Sequence, residues 1–335
     1  MQWSGTDQGS ALRDYTIYVS DNGGPFTPWL TQTSLTEAAY SGVLGHSYSF
    51  FSVARDLTEN IESVKSAPEA TTFVTTTACQ NPIDCSEFFV RQHYLDFLAR
   101  EPDSAGLQFW TNEIELCGAD TSCREVKRIN VSAAFFLSTE FQKTGFLAYR
   151  TRKSAFGNIS GKPVPITRAE LSQDVQVLGN GVIVGALNWE QKLEQNTQTY
   201  FDQVTSAGSF NTLYPQSMTA AQYVDALNQN AGGVLSATER DALVVELTSG
   251  AKTRAQALRR VAEDSDLVTA EFNKAFVLIQ YFGYLRRDPD SAPDSNYSGY
   301  QFWLTKLDQF GGDFAQAEMV KAFIQSTEYR QRFAQ

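Results

Sequence analysis

The chain has 335 residues, 42% of them hydrophobic and 19% charged, with a formal net charge of −11. That length accommodates two or three domains, each able to bury a core, and the composition is that of folded protein rather than of long disorder. The negative balance disfavours a nucleic-acid phosphate backbone or an anionic bilayer as partner. No stretch approaches the roughly 20 apolar residues of a membrane span, so no membrane insertion is expected.

The segment Tyr15-Thr16-Ile17-Tyr18-Val19-Ser20 alternates with period two and is rich in aromatic and β-branched residues, which predicts a strand. Asp21-Asn22-Gly23-Gly24-Pro25 ends it as a turn, and Ser47 to Ala54 predicts a second strand before a polar turn at Asp56–Asn60. Shorter strands are expected around Trp29, Ala38–Tyr40 and Thr72–Val74. Short strands about ten residues apart point to an all-β sandwich.

The segments Trp3-Ser4-Gly5-Thr6-Asp7, Tyr15 to Ser20 and Gly45-His46-Ser47-Tyr48-Ser49-Phe50 resemble bacterial fibronectin type III repeats. The resemblance implies that Tyr48 pins a corner between strands through its hydroxyl. It also implies that the first strand and most of the second lie before Met1, so that residues 1–74 form a truncated sandwich. Glu59 stands where such repeats carry a glycine, which marks an altered turn. Spacer or adhesion duty is the usual use of these repeats.

Pro68 to Pro82 is rich in Thr and Ala, and an inter-domain linker is expected at 75–85. Four cysteines form two pairs of identical spacing, Cys79/Cys85 and Cys117/Cys123. Two local disulfides are the economical reading, each adding about 2 to 2.5 kcal/mol by chain entropy. They imply an oxidising, extracellular or cell-surface location. Free thiols or a zinc site are the alternatives, and four cysteines permit three pairings.

Internal repetition dominates the remainder. Phe89 to Ala105 aligns without a gap on Phe276 to Ala292, sharing Phe, Val, Tyr, Leu, Arg, an acid, Pro, Asp, Ser and Ala. Gly106-Leu107-Gln108-Phe109-Trp110 then aligns on Gly299-Tyr300-Gln301-Phe302-Trp303, and Ser138-Thr139-Glu140-Phe141 on Ser326-Thr327-Glu328-Tyr329. Each unit predicts three helices whose apolar residues recur at helical spacing, Val90, Tyr94, Phe97 and Leu98 in the first. The expected plan is all-α, with repeat 1 at 86–147, a helical connecting region at 148–217, a degenerate repeat 2 at 218–272 and repeat 3 at 273–335. Within the connecting region, helices are expected near Ala169–Gly179 and Trp189–Ser206.

The repeat resembles a bacterial family of domains of unknown function, number 4214. It is more distantly similar to the linker-polypeptide domain of phycobilisomes, through Arg-acid-Pro-Asp before a helix and Ser-Thr-Glu near the end. The family resemblance implies a large extracellular or surface protein and no catalytic residue.

No histidine-based metalloprotease motif, serine elbow or phosphate-binding glycine loop occurs, and no catalytic or cofactor-binding residue is assigned. Of the two histidines, His46 falls in a turn and His93 reads as a surface residue of a helix. Trp110 and Trp303 read as core, and Trp29, Tyr214 and Tyr297 as exposed aromatics available for contact. Asp288, Asp290, Asp294 and Asn296 place four oxygen-bearing side chains within nine residues, a candidate calcium site, although the glycine and closing glutamate of an EF-hand are absent. The competing reading of that stretch is a turn with helix-capping and ion-pairing duties. The expected function is a non-catalytic structural or adhesive module that binds a partner protein or a surface polysaccharide. The alternatives are an accessory region of a secreted carbohydrate-active enzyme whose catalytic domain lies elsewhere, or an intracellular scaffold with free thiols.

Overall fold

A computed structural model describes residues 1–6, 9, 11–43, 46–65, 67–74 and 79–334. Asp7, Gly45 and linker residues 75–78, used above, lie outside the described residues. The chain divides into two compact units, Met1–Phe89 and Val90–Gln335.

The first unit holds four strands, β1 (Leu12–Asp21), β2 (Thr27–Thr33), β3 (Ser47–Asp56) and β4 (Ala70–Phe73), in one antiparallel sheet of order β2-β1-β3-β4. Alternation puts Tyr15, Ile17 and Val19 of β1 beside Tyr48 and Phe50 of β3 on one buried face, closed over by Trp29 and Tyr40. Asn22 and Gly23 both take positive φ (49° and 72°), as the turn residues between β1 and β2 suggested. Glu59, at the position where a glycine is expected, also has a positive φ of 71°. Arg55 holds its carboxylate at 3.0 Å and Arg13 binds it as well, while the left-handed conformation costs a non-glycine residue roughly 1–2 kcal/mol.

The strand expected at Ala38–Tyr40 does not form. Only a single bridge, Gln2 to Glu37, occurs there, flanked by reciprocal bonds between the Met1 and Ala38 backbones. Tyr40 instead packs its ring against Trp29, Tyr48 and Phe50. Its aromatic character reflects packing, not pairing.

The second unit is helical. In chain order, α1 (Ser86–His93) enters it, followed by α2 (Ser104–Glu115), α3 (Thr121–Leu137), α4 (Thr139–Lys143) and α5 (Gly145–Phe156). Next come α6 (Arg168–Leu178), α7 (Trp189–Ser206), α8 (Gly208–Leu213), α9 (Ala220–Ala231), α10 (Ala237–Thr248) and α11 (Arg254–Ala262). The chain ends with α12 (Ser265–Gln280), α13 (Ser298–Gln309), α14 (Met319–Gln325) and α15 (Thr327–Gln331). Helix starts are strongly encoded: Thr167, Thr219, Ser236 and Thr253 each form a reciprocal capping box with the Glu or Gln three residues on.

The first and third repeats meet face to face. Phe97 and Tyr284, which occupy the same place in the two copies, touch each other edge to face at 5.1 Å. Contact between equivalent residues marks a pseudo-two-fold axis. Gly283, which is the counterpart of Asp96, leaves room for the Phe97 ring, because a Cβ there would come within 2.7 Å of it.

This packing corrects the reading of His93 as a surface residue. It is only 1% exposed, with Nε2 at 2.5 Å from Ser132 Oγ and its ring against Phe97, Phe135 and Tyr284. Its counterpart Gln280 is equally buried. A helix that appears to have one apolar stripe is covered on two sides once its partner copy docks.

Candidate functional site

The repeated motifs prove to be parts of one clamp. Each copy leaves its first helix through a π-helical turn, Tyr94–Leu98 and Tyr281–Leu285, ended by a left-handed residue, Ala99 or Arg286, each with φ 53°. The following arginine then reaches the glutamate of the Ser-Thr-Glu motif. Arg100 donates from Nε and Nη2 to Glu140 at 2.6 and 2.7 Å, and Arg287 to Glu328 at 2.6 and 3.2 Å. Each guanidinium also lies over a tyrosine ring, Tyr94 at 4.9 Å and Tyr281 at 5.4 Å. Burial pushes both tyrosine hydroxyls up to about 12. Ser138 and Ser326 cap the short helices that follow, accepting from Phe141 N and Tyr329 N at 3.1 Å. Trp110 and Trp303 are half-buried rather than fully enclosed, tilted over Phe135 and Phe323 at 6.0 and 5.8 Å.

The candidate calcium residues are drawn into separate partnerships. Asp288 accepts from Arg168 N at 2.9 Å, Asp290 pairs with Lys162 at 2.7 Å, Asp294 pairs with Arg287 at 2.8 Å, and Asn296 accepts from Ser298 N at 2.8 Å. Among the described residues, no group of three or more His, Cys, Asp or Glu is placed to hold a metal ion. Cys79–Cys85 and Cys117–Cys123 are disulfide-bonded, and the second bridge ties the connection after α2 to the first turn of α3, where repeat 3 carries no cysteine.

The exposed aromatics need partial revision. Tyr214 is buried, its hydroxyl donating to Ala155 O at 2.6 Å, because the end of α8 folds back under α5. Trp29 and Tyr297 are half-buried. The buried Ser132–His93 pair continues to Tyr284 at 2.6 Å, yet both Ser132 and His93 are 1% exposed and sealed from any substrate.

A cleft of about 260 Å³ opens where α4 and α5 meet α7 and the end of α11. Trp189, the first residue of α7, lines it together with the buried apolar side chains Leu147 and Leu193. Gln142, Lys143, Glu190, Glu194, Arg259 and Glu263 surround it with polar ends, and Arg150 lines it from α5. Arg259 is committed within the cleft, to Glu194 at 2.6 and 2.9 Å and to Glu263 at 3.1 Å. Those hydrogen bonds from Arg259 lower the Glu194 carboxyl below its usual range. Arg150 differs: it is 7% exposed and donates only to backbone carbonyls, Ala262 O at 2.7 Å and Phe146 O at 3.3 Å. Desolvation depresses its guanidinium to about 10. Trp189 stands out in sequence as the one tryptophan of the connecting region, but nothing in the sequence around Arg150 marks it as buried.

Residues 70–145 match the family described as "Domain of unknown function (DUF4214)", which places the first helical repeat beside that family. No significant match is found among curated proteins or among solved structures.

Proposed function

We propose that this chain is a non-catalytic adhesive or structural module of a secreted or cell-surface bacterial protein, and that its helical unit binds a surface polysaccharide. The cleft carries the reading. Trp189 and the apolar Leu147 and Leu193, set among amide, carboxylate and guanidinium groups, suit a sugar ring, which offers C–H faces to an aromatic and hydroxyls to polar ends.

Two disulfides support an oxidising location. For the N-terminal unit, a fibronectin type III-like reading is supported by the strand order β2-β1-β3-β4, which is the order of a C′-C-F-G run in one sheet of immunoglobulin-like sandwiches. It is supported too by Tyr48, whose buried hydroxyl accepts from Val43 N at 3.0 Å, five residues upstream.

The test is co-sedimentation of the purified chain with bacterial envelope and polysaccharide fractions, in calcium and in chelator. Retention on a polysaccharide fraction, lost in Trp189→Ala, is the expected result. Retention on protein but on no polysaccharide would transfer the reading to a partner protein. Retention that requires calcium would restore Asp288, Asp290, Asp294 and Asn296 as metal ligands.

A further inference from the structure

The cations of the cleft are not equivalent, and one of them has no carboxylate in direct contact. Arg259 has two carboxylates at hydrogen-bond distance, whereas Arg150 has none within ion-pairing range among the described residues. Nε and Nη1 are taken up by the Phe146 and Ala262 carbonyls, Nη2 makes no hydrogen bond among the described residues, and Arg150 is one of the residues that line the cleft. The Phe146 ring, 4.5 Å from the guanidinium carbon, fixes the group in place. Burial of this charge is costly and lowers its ionisation, an effect that nearby Glu263 offsets only in part. An incoming carboxylate would relieve it with a charge-assisted bond, which is among the stronger polar contacts in proteins. Exposed Lys143 adds a second positive group to a lining that also holds Glu190, Glu194 and Glu263, of which Glu194 is taken up by Arg259.

We propose that the cleft recognises an acidic sugar, a hexuronate unit of a polysaccharide, with its carboxylate on Arg150 and its ring against Trp189. At about 260 Å³ the cleft falls just below the roughly 300–1,000 Å³ of pockets for drug-sized ligands, which suits one sugar ring with its neighbours left in solvent. The assignment rests on the polysaccharide reading above and narrows it to one class.

The experiment is calorimetric titration of the full chain with a galacturonate trimer, the same trimer methyl-esterified at its carboxyls, and a neutral galactose trimer of equal length. The free-acid trimer is expected to bind at least tenfold more tightly than the other two, and Arg150→Gln to abolish that difference. Esterification removes the carboxylate without touching the protein, so the result stands even if the Arg150→Gln chain does not fold. Equal affinity for all three trimers overturns the acidic-sugar assignment and leaves the polysaccharide reading intact. Absence of binding to the trimers, combined with retention on neutral envelope polysaccharide, also overturns it. Failure on every sugar and every polysaccharide fraction removes both.

Discussion

Repeats 1 and 3 share a clamp almost atom for atom, yet they differ where they face each other. The Arg–Glu pair, the tyrosine beneath it, the serine cap and the π-helical turn recur in both. At the shared face, Asp96 stands opposite arginines while its counterpart is Gly283, His93 is replaced by Gln280, and Ser132 by Val320. The clamp is what each copy needs in order to fold. The face is where the two copies are complementary rather than alike. Structural constraint therefore preserves identity inside a repeat and relaxes it into asymmetry between repeats.

The largest effect is expected at Asp96, whose side chain is 1% exposed and accepts from Arg286 at 2.7 Å and Arg332 at 3.0 Å. Asp96→Asn should lower unfolding free energy by about 3–5 kcal/mol, because two cations lose their counter-ion. A urea midpoint unchanged from wild type would show that the face does not depend on this charge.

Next is the clamp. Glu140→Ala should cost about 3 kcal/mol, since Glu140 is 8% exposed and is the main partner of Arg100. Glu328→Ala should cost about 1 kcal/mol, because Glu328 is 35% exposed and Arg287 retains Asp294. Equal losses in thermal melts would mean that the two clamps are energetically the same.

Tyr329 makes a subtler case. Its hydroxyl is buried and has no hydrogen-bond partner among the described residues, and repeat 1 carries Phe141 at that position. Tyr329→Phe should stabilise the chain by about 1 kcal/mol, and a loss of stability on denaturant unfolding would argue that the hydroxyl is satisfied.

The smallest effect concerns pH. The Lys162 hydrogen bond holds the Asp290 carboxyl below its ordinary value of 3.8, so this pair stabilises the fold at higher pH. Its contribution, less than about 1 kcal/mol, is lost as pH falls through the lowered folded value. Asp290→Asn should therefore trail wild type at pH 7 and converge with it near the acid limit, as melts across that range would show.

Much of this was legible in the sequence because it is local. The helix at Trp189–Ser206, the capped helix starts, the turn after β1 and the paired cysteines each follow from residues within a few positions of one another. The repeat itself was visible, but the reason for its motif was not, since Arg100 and Glu140 are forty residues apart. Burial of His93 and Tyr214 depends on which helix arrives on the second side, a tertiary fact with no periodic signature. The cleft was hidden for the same reason: α5, α7 and α11 assemble it, and Arg150 looks like any charged residue of an amphipathic helix until Ala262 and Phe146 enclose it. The failed strand at Ala38–Tyr40 shows the converse, aromatic composition mistaken for pairing.

The contact of Phe97 with its own counterpart has a consequence for assembly. The two faces meet around equivalent residues yet are not interchangeable, because Asp96 is held by Arg286 and Arg332 of the other copy while its own counterpart is Gly283. A first repeat cut free of the third would carry half of an interface whose other half its own sequence does not supply: Asp96 would stand where Gly283 leaves room for the Phe97 ring, and Ala99 where Arg286 supplies the charge.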